Sequence, residues 1–287
     1  MNFEYFIAKR IVSAKEYKNS ISSPIIKIAI LSIVIGFVTM LISIASGVGL
    51  QNKIYQKVSA FNGDIIISNF DTNFSDDSQN PISTIQGFYP TFSSIKGIQH
   101  IQATASKGGV IRTANKFEGV VVKGVGKDYD WNYFNEFLID GSLPDYSQLL
   151  TNKILISEYT SNRLNLKVGD KLNTFFFNSD NSKLPRSRSF EVSGIYNSGF
   201  NEFDEKFVIA DIRHIQRLNK WSENEIGSYE VFVEGFSQID QIGNEVYNEV
   251  GSFLDSQTIK ERYFSIFKWL ELFDFNIILI IFIMIVV

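Results

Sequence analysis

The sequence predicts a membrane-anchored α+β protein, and three features of the chain carry this prediction. The 23 residues Ile28–Leu50 contain no charged side chain, and a second apolar run covers Phe275–Val287. Between the two runs lie about 200 residues in which short strand patterns and short helix patterns are mixed. This arrangement is typical of a water-facing domain held between two membrane helices.

The first apolar run is long enough to cross a lipid bilayer. At a rise of ~1.5 Å per residue it forms a helix of ~35 Å, which exceeds the thickness of the hydrocarbon core. We expect transmembrane helix 1 at residues 23–50, with Ser23 as its cap and Pro24 in its first turn. A cleaved signal peptide is the alternative, but the run is about twice the length of a signal-peptide core.

Small residues follow one face of this predicted helix. They recur at spacings of three or four, at Ser32, Gly36, Thr39, Ser43 and Gly47. Small side chains allow a second helix to approach closely, so the stripe predicts a helix-packing face. Glycine and serine are also common in membrane helices without such a role, and the stripe does not identify a partner.

The segment before the span, residues 1–22, is predicted to be a cytoplasmic amphipathic segment with a helix at residues 3–14. Its apolar residues Phe3, Phe6, Ile7 and Ile11 fall at helical spacing, although an unstructured basic tail is the alternative. The first 27 residues carry a net charge of +3, which leaves −7 for the rest of a chain whose total is −4. Basic flanks favour the cytoplasmic side, so the N-terminus is expected in the cytoplasm of a bacterium. The main domain then lies in the periplasm, outside the inner membrane.

The predicted extracytoplasmic domain covers residues 51–257 and mixes strands with helices. Strands are predicted at Gly63–Ser68, Gly119–Val125, Lys153–Ser157, Leu172–Phe177, Arg188–Tyr196 and Phe207–Ala210. Residues Ile98–Arg112 predict either a strand pair or a strand and a turn around Gly108 and Gly109. Tyr229–Val233 alternates apolar residues with Glu230, which predicts a half-exposed strand. Helices are predicted at Glu158–Leu164, after Asp211, and from Ser237, where Asp240 suggests a capping box.

The C-terminal residues 258–287 predict one continuous stalk helix that enters the membrane. An apolar stripe runs from Ile259 to Met284 across the change from soluble to membrane composition. The charge-free part has 13 residues and a helical length of ~20 Å, too short to span a bilayer. We therefore expect the start of transmembrane helix 2 here, in a chain that is part of a longer protein.

Composition excludes several kinds of chemistry. The chain has no cysteine and two histidines, which rules out thiolate catalysis, disulfides and multi-histidine metal sites. It contains no phosphate-binding loop of the Gly-x-x-x-x-Gly-Lys-Ser/Thr type, and its acidic domain offers no basic stripe for nucleic acid. We predict no catalytic, cofactor-binding or metal-binding residues, and no enzymatic activity in this chain.

Several short sequence segments, in their order along the chain, resemble those of one family. They are Phe6–Arg10, Ser43–Gly47, Leu50–Ile54, Asp64–Ser68, Lys153–Glu158, Leu164–Asp170, Phe190–Tyr196 and the apolar Phe267–Val287. In this order they resemble the lipoprotein-releasing (Lol-type) permeases of ABC transporters, within the wider group of MacB-like and FtsX-like permeases.

The resemblance implies a fold, partners and a mechanism. It implies a MacB-like extracytoplasmic domain between the first two of four membrane helices, with the later helices beyond Val287. It implies a cytoplasmic ABC ATPase subunit, a second permease copy or paralogue, and contact with membrane lipids. The Lol type passes acylated lipoproteins to a soluble periplasmic carrier by ATP-driven motion. In some members a hairpin docks this carrier, and Leu184, Pro185 and Arg186 within Asn178–Ser187 occupy the corresponding place. An ordinary polar hairpin tip is the alternative.

Three other functions remain open from the sequence. A MacB-like exporter of small molecules and an FtsX-like regulator of wall hydrolases belong to the same permease group. A two-span sensor, whose outer domain binds a ligand, belongs to another class. The amphipathic N-terminal segment and the apolar stripe that continues into the second span favour a permease over a sensor.

Overall fold

The computed structural model describes residues 3–7, 22–70, 76–177 and 184–286. They divide into two compact units, Met1–Ile54 with Ser265–Val287, and Tyr55–Phe264. Within the predicted N-terminal segment 1–22, residues 3–7 are helical and exposed, and residues 8–21 lie outside the described part.

The helices are α1 (Ser22–Asn62), α2 (Glu158–Leu164), α3 (Asn201–Asp204), α4 (Ile212–Asn219), α5 (Ile239–Glu249), α6 (Ile259–Arg262) and α7 (Phe264–Val286). Among the described residues, one helical stretch, Pro24–Asn62, has the length and apolar composition needed to cross a bilayer. Its large apolar side chains, such as Ile28, Leu31 and Phe37, are exposed. A helix with apolar side chains on every side is typical of a membrane span.

The strands of the second unit are β1 (Ile65–Asn69), β2 (Ile82–Ser83), β3 (Ile98–Arg112), β4 (Phe117–Val125), β5 (Leu138–Gly141), β6 (Lys153–Ser157), β7 (Lys171–Phe176), β8 (Arg186–Tyr196), β9 (Phe207–Asp211), β10 (Glu225–Ile226), β11 (Ser228–Val233) and β12 (Leu254–Thr258).

Ten of these strands form one mixed sheet in the order β12-β1-β11-β3-β4-β9-β6-β8-β5, with β7 attached to both β3 and β8. Because β7 bridges these two strands, β3, β4, β9, β6, β8 and β7 close into a ring. The β4–β9 and β6–β8 pairs are parallel, and the other pairs of this sheet are antiparallel. Strands β2 and β10 pair separately. The mixed α/β unit and the N-terminal apolar helix confirm the predicted fold class.

Short polar side chains define where the small helices begin. The Ser157 hydroxyl accepts a hydrogen bond from the backbone N–H of Thr160 at the start of α2. The Asp211 carboxylate accepts from the N–H of Arg213 at the start of α4, and this helix begins after Asp211 as predicted. Such caps satisfy donors that have no partner inside the helix.

The predicted interruption at Gly108 and Gly109 is wrong, because β3 runs through both glycines without a break. A Cβ on Gly109 would lie 3.0 Å from the Thr174 side chain and 3.1 Å from that of Phe176. The glycine therefore permits the close approach of β7, which pairs with the end of β3.

Three other local predictions also differ from the structure. Strand β11 is buried on both faces because it lies between β1 and β3, so Glu230 is not exposed. Helix α5 begins at Ile239 and has no side-chain cap, so the predicted capping box at Ser237 does not form. The predicted single stalk helix is divided at Tyr263, whose backbone (φ −108°, ψ 40°) is not helical.

The core of the second unit gathers around Phe61, which lies in the last turn of α1. Its ring is 4.9 Å from that of Phe203, 5.0 Å from Phe134 and 5.5 Å from Tyr196, measured between centroids. Phe61 is 1% exposed. Aromatic rings at these distances gain offset and edge contacts beyond the burial of their area, so this cluster anchors the end of α1 in the sheet.

We predict that Phe61→Ala lowers the free energy of unfolding of the second unit by about 3–5 kcal/mol, because it opens a cavity among the surrounding rings. Denaturant titration of the full chain, read by pulse proteolysis, measures this change. The matched variant Phe253→Ala alters a side chain that is 89% exposed. Its effect should stay within about 0.5 kcal/mol. Equal losses in the two variants would contradict the anchoring role of Phe61.

Candidate functional site

The chain enters and leaves the second unit at one edge of the sheet. Strand β1 follows α1, strand β12 precedes α6, and the two are antiparallel neighbours in which Ile65 is opposite Thr258. The N–H of Ile259 donates to the Asp64 carbonyl at 2.9 Å and extends this pairing by one residue. Both connections to the rest of the chain are therefore fixed to the same two strands.

A sharp turn joins α1 to β1. Gly63 has φ +68°, and a Cβ there would lie 2.9 Å from the Cβ of Glu230, so the turn requires glycine. The Asp64 carboxylate accepts hydrogen bonds from the Tyr55 hydroxyl at 2.6 Å and from the N–H of Val233 at 2.7 Å. Burial raises the pKa of Asp64, and its hydrogen bonds oppose that rise.

A buried ion pair lies beneath the end of α1. The Lys123 ammonium is 2.6 Å from the Glu230 carboxylate, with side-chain exposures of 4% and 6%. The same ammonium donates to the Phe61 carbonyl in the last turn of α1. The Gln102 amide donates to Glu230 at 2.9 Å. A cation at a helix C-terminus interacts favourably with the helix dipole and with carbonyls that lack helical partners.

Side chains connect the segment in which the chain leaves the second unit to the segment in which it enters. The Tyr263 hydroxyl donates to the Asn62 side-chain oxygen at 2.9 Å. Burial raises the pKa of Tyr263 to about 12, so the phenol keeps its proton at physiological pH. Arg262 lies 3.5 Å from Asp76, and Asp76 also pairs with Lys206. We call Asn62, Asp64, Lys123, Glu230 and Tyr263 the junction cluster.

A polar cavity of about 60 Å³ adjoins the junction cluster. Asn62, Lys123, Glu230 and Arg262 are among its lining residues. Water needs roughly 10–15 Å³ of such space and several polar partners, and both are present. Ligand sites are usually several hundred Å³, so the volume suits ordered water and is too small for a substrate. The space beside the junction cluster therefore suits ordered water and not a ligand of ordinary size.

Within residues 3–7, 22–70, 76–177 and 184–286, no group of three or more histidine, aspartate or glutamate side chains could hold a metal ion.

The five residues of the predicted packing face of α1 differ in their exposure. Gly47 is buried, and a Cβ there would lie 2.8 Å from the Ile277 side chain of α7. Gly36 and Ser43 are half-buried, while Ser32 and Thr39 are exposed. The small-residue face thus stays a prediction, with Gly47 as the member in close contact with another helix of the same unit.

The predicted docking residues lie at the end of the β7–β8 hairpin, of which residues 178–183 are outside the described part. Leu184 is 88% exposed and Pro185 is exposed. Arg186 differs, because its guanidinium donates to the Leu218 carbonyl at 2.6 Å, in the last turn of α4. Leu184 and Pro185 are thus placed on the surface, and Arg186 is bound within its own unit. A docking role for this hairpin stays a prediction.

Sequence reasoning missed the residues of the junction cluster. From the sequence alone, Lys123 and Glu230 are only members of strand patterns. A usable signal existed, since each is a charged residue inside an apolar strand run and the two charges are opposite. Buried charges are almost always paired, so two such residues in one domain suggest an ion pair.

Comparison with known proteins gives one family match. The profile of the MacB-like periplasmic core domain matches residues 28–246, about three quarters of the chain. No curated protein sequence matches the chain.

Several solved structures are similar to this one, and two of them are extracytoplasmic domains of transporters. The extracellular domain of the noncanonic ABC-type transporter YknZ from Gram-positive bacteria has 14% identity and a TM-score of 0.44, covering 68% of this chain and 99% of that chain. The periplasmic region of MacB from Actinobacillus actinomycetemcomitans has 16% identity and a TM-score of 0.47, covering 70% of this chain and 91% of that chain.

We predict that Lys123→Met lowers the free energy of unfolding by about 3–5 kcal/mol, because Glu230 is left as an unpaired buried charge. The double variant Lys123→Met with Glu230→Leu should recover part of this loss. Denaturant titration of the full chain measures all the variants.

The matched control is Lys260→Met, which breaks the more exposed ion pair with Asp240. Pairs of this kind contribute about 0–1 kcal/mol. If Lys123→Met were no more destabilising than Lys260→Met, the ion pair would not hold the junction cluster together.

Proposed function

Because the chain belongs to the MacB-like periplasmic core domain family, we propose that it is the permease subunit of an ABC transporter that releases lipoproteins from the inner membrane. The protein is a membrane protein with an extracytoplasmic domain of the ABC-permease type. Such a component is not itself a catalytic enzyme. In this proposal ATP is hydrolysed on a separate cytoplasmic subunit.

One observation supports a mechanical role above the others. The chain enters the second unit through Tyr55–Asn62 and leaves it through Thr258–Tyr263, and the Asn62–Tyr263 hydrogen bond links these two segments. The ion pair of Lys123 and Glu230 fixes the first segment to the sheet. A domain held at both connections by buried contacts moves as one body when its attached helices move.

The rest of the proposal concerns orientation and partners. The N-terminus lies in the cytoplasm and the second unit in the periplasm, as the basic N-terminal flank favours. Two permease copies, or this chain and a paralogue, pair around the lipid-embedded substrate. ATP-driven motion of their membrane helices then passes acylated lipoproteins to a soluble periplasmic carrier that docks near Leu184 and Pro185.

Purification of the full-length protein from its native membranes tests the proposal. We expect an ABC ATPase to co-purify. In proteoliposomes the complex should transfer an acylated lipoprotein to the soluble carrier only when ATP is present. Purification without an ATPase would contradict the permease assignment. ATP-dependent efflux of small molecules, without lipoprotein transfer, would contradict the proposed substrate.

The same assay tests the mechanical role of the junction cluster. Tyr263→Phe removes the hydroxyl that donates to Asn62 and keeps the ring. We expect ATPase activity to persist while lipoprotein transferred per ATP hydrolysed falls by about threefold to tenfold, as for the loss of one buried hydrogen bond. Tyr247→Phe, which alters an exposed tyrosine, is the matched control. An unchanged transfer ratio in Tyr263→Phe would contradict the coupling role.

A further inference from the structure

Strand β12 forms one edge of the large sheet. It pairs with β1 on one side, and no other described strand pairs with its second side. The N–H of Ile259 donates to the Asp64 carbonyl, so in this antiparallel pair every second residue of β12 directs its N–H and C=O groups toward β1. The N–H and C=O groups of the alternate residues, Leu254, Ser256 and Thr258, therefore face the open side.

Ser256 has hydrogen-bonding groups that its own unit does not use. The N–H of Leu254 donates to the Gly251 carbonyl at 3.3 Å, and the N–H of Thr258 donates to the Glu261 carboxylate at 2.8 Å. The outward N–H of Ser256 has no such partner among the described residues. The Ser256 hydroxyl oxygen is buried and also lacks a partner in this part of the chain. Because buried polar groups are nearly always hydrogen-bonded, this site points to a partner from outside the unit.

A groove of about 470 Å³ lies between β12 and α5. Ser256 and Thr258 line it from the strand, and Asp240 and Asn244 line it from one flank of the helix. None of its described lining residues belongs to β1, which places the groove on the open side of β12. A Cβ on Gly243 would lie 2.6 Å from the Thr258 side chain, so this glycine permits the close approach of the helix. An extended chain in such a groove continues the sheet while its side chains contact the helix.

The groove is negatively charged. Asp240, Asp255 and Glu261 line it, and no described lysine or arginine is among its lining residues. One cation lies beside it, because the Lys260 ammonium pairs with Asp240 at 2.7 Å. Three carboxylates against one ammonium leave a negative balance, which attracts a basic segment. The chain itself has a net charge of −4, so a second copy of it is a less suitable occupant.

We propose that β12 accepts an added strand from a partner protein, and that this strand is an extended segment rich in lysine or arginine. Its backbone pairs with the outward N–H and C=O groups of Ser256, and its basic side chains lie in the groove near Asp240. Main-chain hydrogen bonds then supply affinity, and the carboxylates select a basic segment. This binding site is separate from the β7–β8 hairpin, and it does not depend on which substrate the permease releases.

Binding of a synthetic hexapeptide of alternating lysine and valine to the full chain tests the inference. The chain is held in nanodiscs of phosphatidylcholine, which has no net charge, and empty nanodiscs are the blank. We expect saturable binding that weakens between about 50 and about 300 mM NaCl, because salt screens the attraction between the peptide and the groove. Hydrogen exchange read by mass spectrometry should show about one further protected amide within residues 254–258, because the N–H of Ser256 gains a partner.

Modified peptides separate strand pairing from charge attraction alone. In an extended peptide, the N–H groups of alternate residues point to opposite edges. N-methylation of one alternate set should lower the affinity by about tenfold or more, whereas N-methylation of the other set should change it by less than about twofold. A hexapeptide of alternating glutamate and valine should not bind, because the groove repels it.

Variants of the chain test the same contacts from the other side. Ser256→Pro removes the outward N–H and no hydrogen bond to β1, so β12 should still form while affinity falls about tenfold. Asp240→Asn should lower the affinity about threefold. The matched control is Glu245→Gln in the same helix, which alters an exposed residue outside the groove and should bind like the wild type. The methylated peptides need no change in the protein, so they decide the question if Ser256→Pro does not fold.

Several results would overturn the inference. They are the absence of binding of the lysine–valine peptide, equal effects of the two N-methylation patterns, and wild-type affinity in a folded Ser256→Pro variant. Self-association of the chain that Ser256→Pro abolishes would identify a second copy as the occupant and would also overturn it. None of these results bears on co-purification of an ATPase, so the permease assignment would stand.

Discussion

The contact on which the rest of the second unit depends is that of Lys123 with the end of α1. The Lys123 ammonium donates a hydrogen bond to the Phe61 carbonyl, which lies in the last turn of the helix, where carbonyls lack partners within the helix. It also pairs with the Glu230 carboxylate, which has no other cation beside it among the described contacts. A charge this deeply buried is tolerated only because each of its contacts is made. The Phe61 ring, fixed by the same turn of helix, then fills the centre of the aromatic cluster.

This contact also explains why both chain connections converge. Strand β11, which carries Glu230, lies between β1 and β3, and β1 pairs on its other side with β12. The ion pair therefore sets the incoming helix against β11, which only β1 separates from the outgoing strand β12. The hydrogen bond between Tyr263 and Asn62 then joins the two segments directly. Such a domain can pass on a displacement with little internal deformation, as the proposed permease function requires.

Much of this fold was predictable from local patterns, and the functional contacts were not. The predicted strand Lys153–Ser157 and helix Glu158–Leu164 match the structure residue for residue. Both depend on local signals, because the apolar pattern of a strand and the serine cap of a helix each involve only a few neighbouring residues. Burial of Glu230 depends on the pairing of its strand with β3, in which the opposite residue lies more than 120 residues earlier in the chain. No local sequence pattern indicates this pairing. The continuity of β3 through Gly109 likewise depends on Phe176. Arg186 looked accessible because its acceptor, Leu218, is brought close only by tertiary folding.

In this structure the segments that enter and leave the second unit form one rigid body. Because residues 1–287 contain no cysteine, spin labels attached at Gln56→Cys and Phe264→Cys in one permease copy would be the only ones in this part of that chain. Electron–electron resonance can then measure their separation in the complete transporter, without nucleotide and with ATP trapped. We expect one narrow distance distribution that is unchanged between the two states. A second population or a shifted distance on ATP binding would contradict it, because the segments would then move relative to each other.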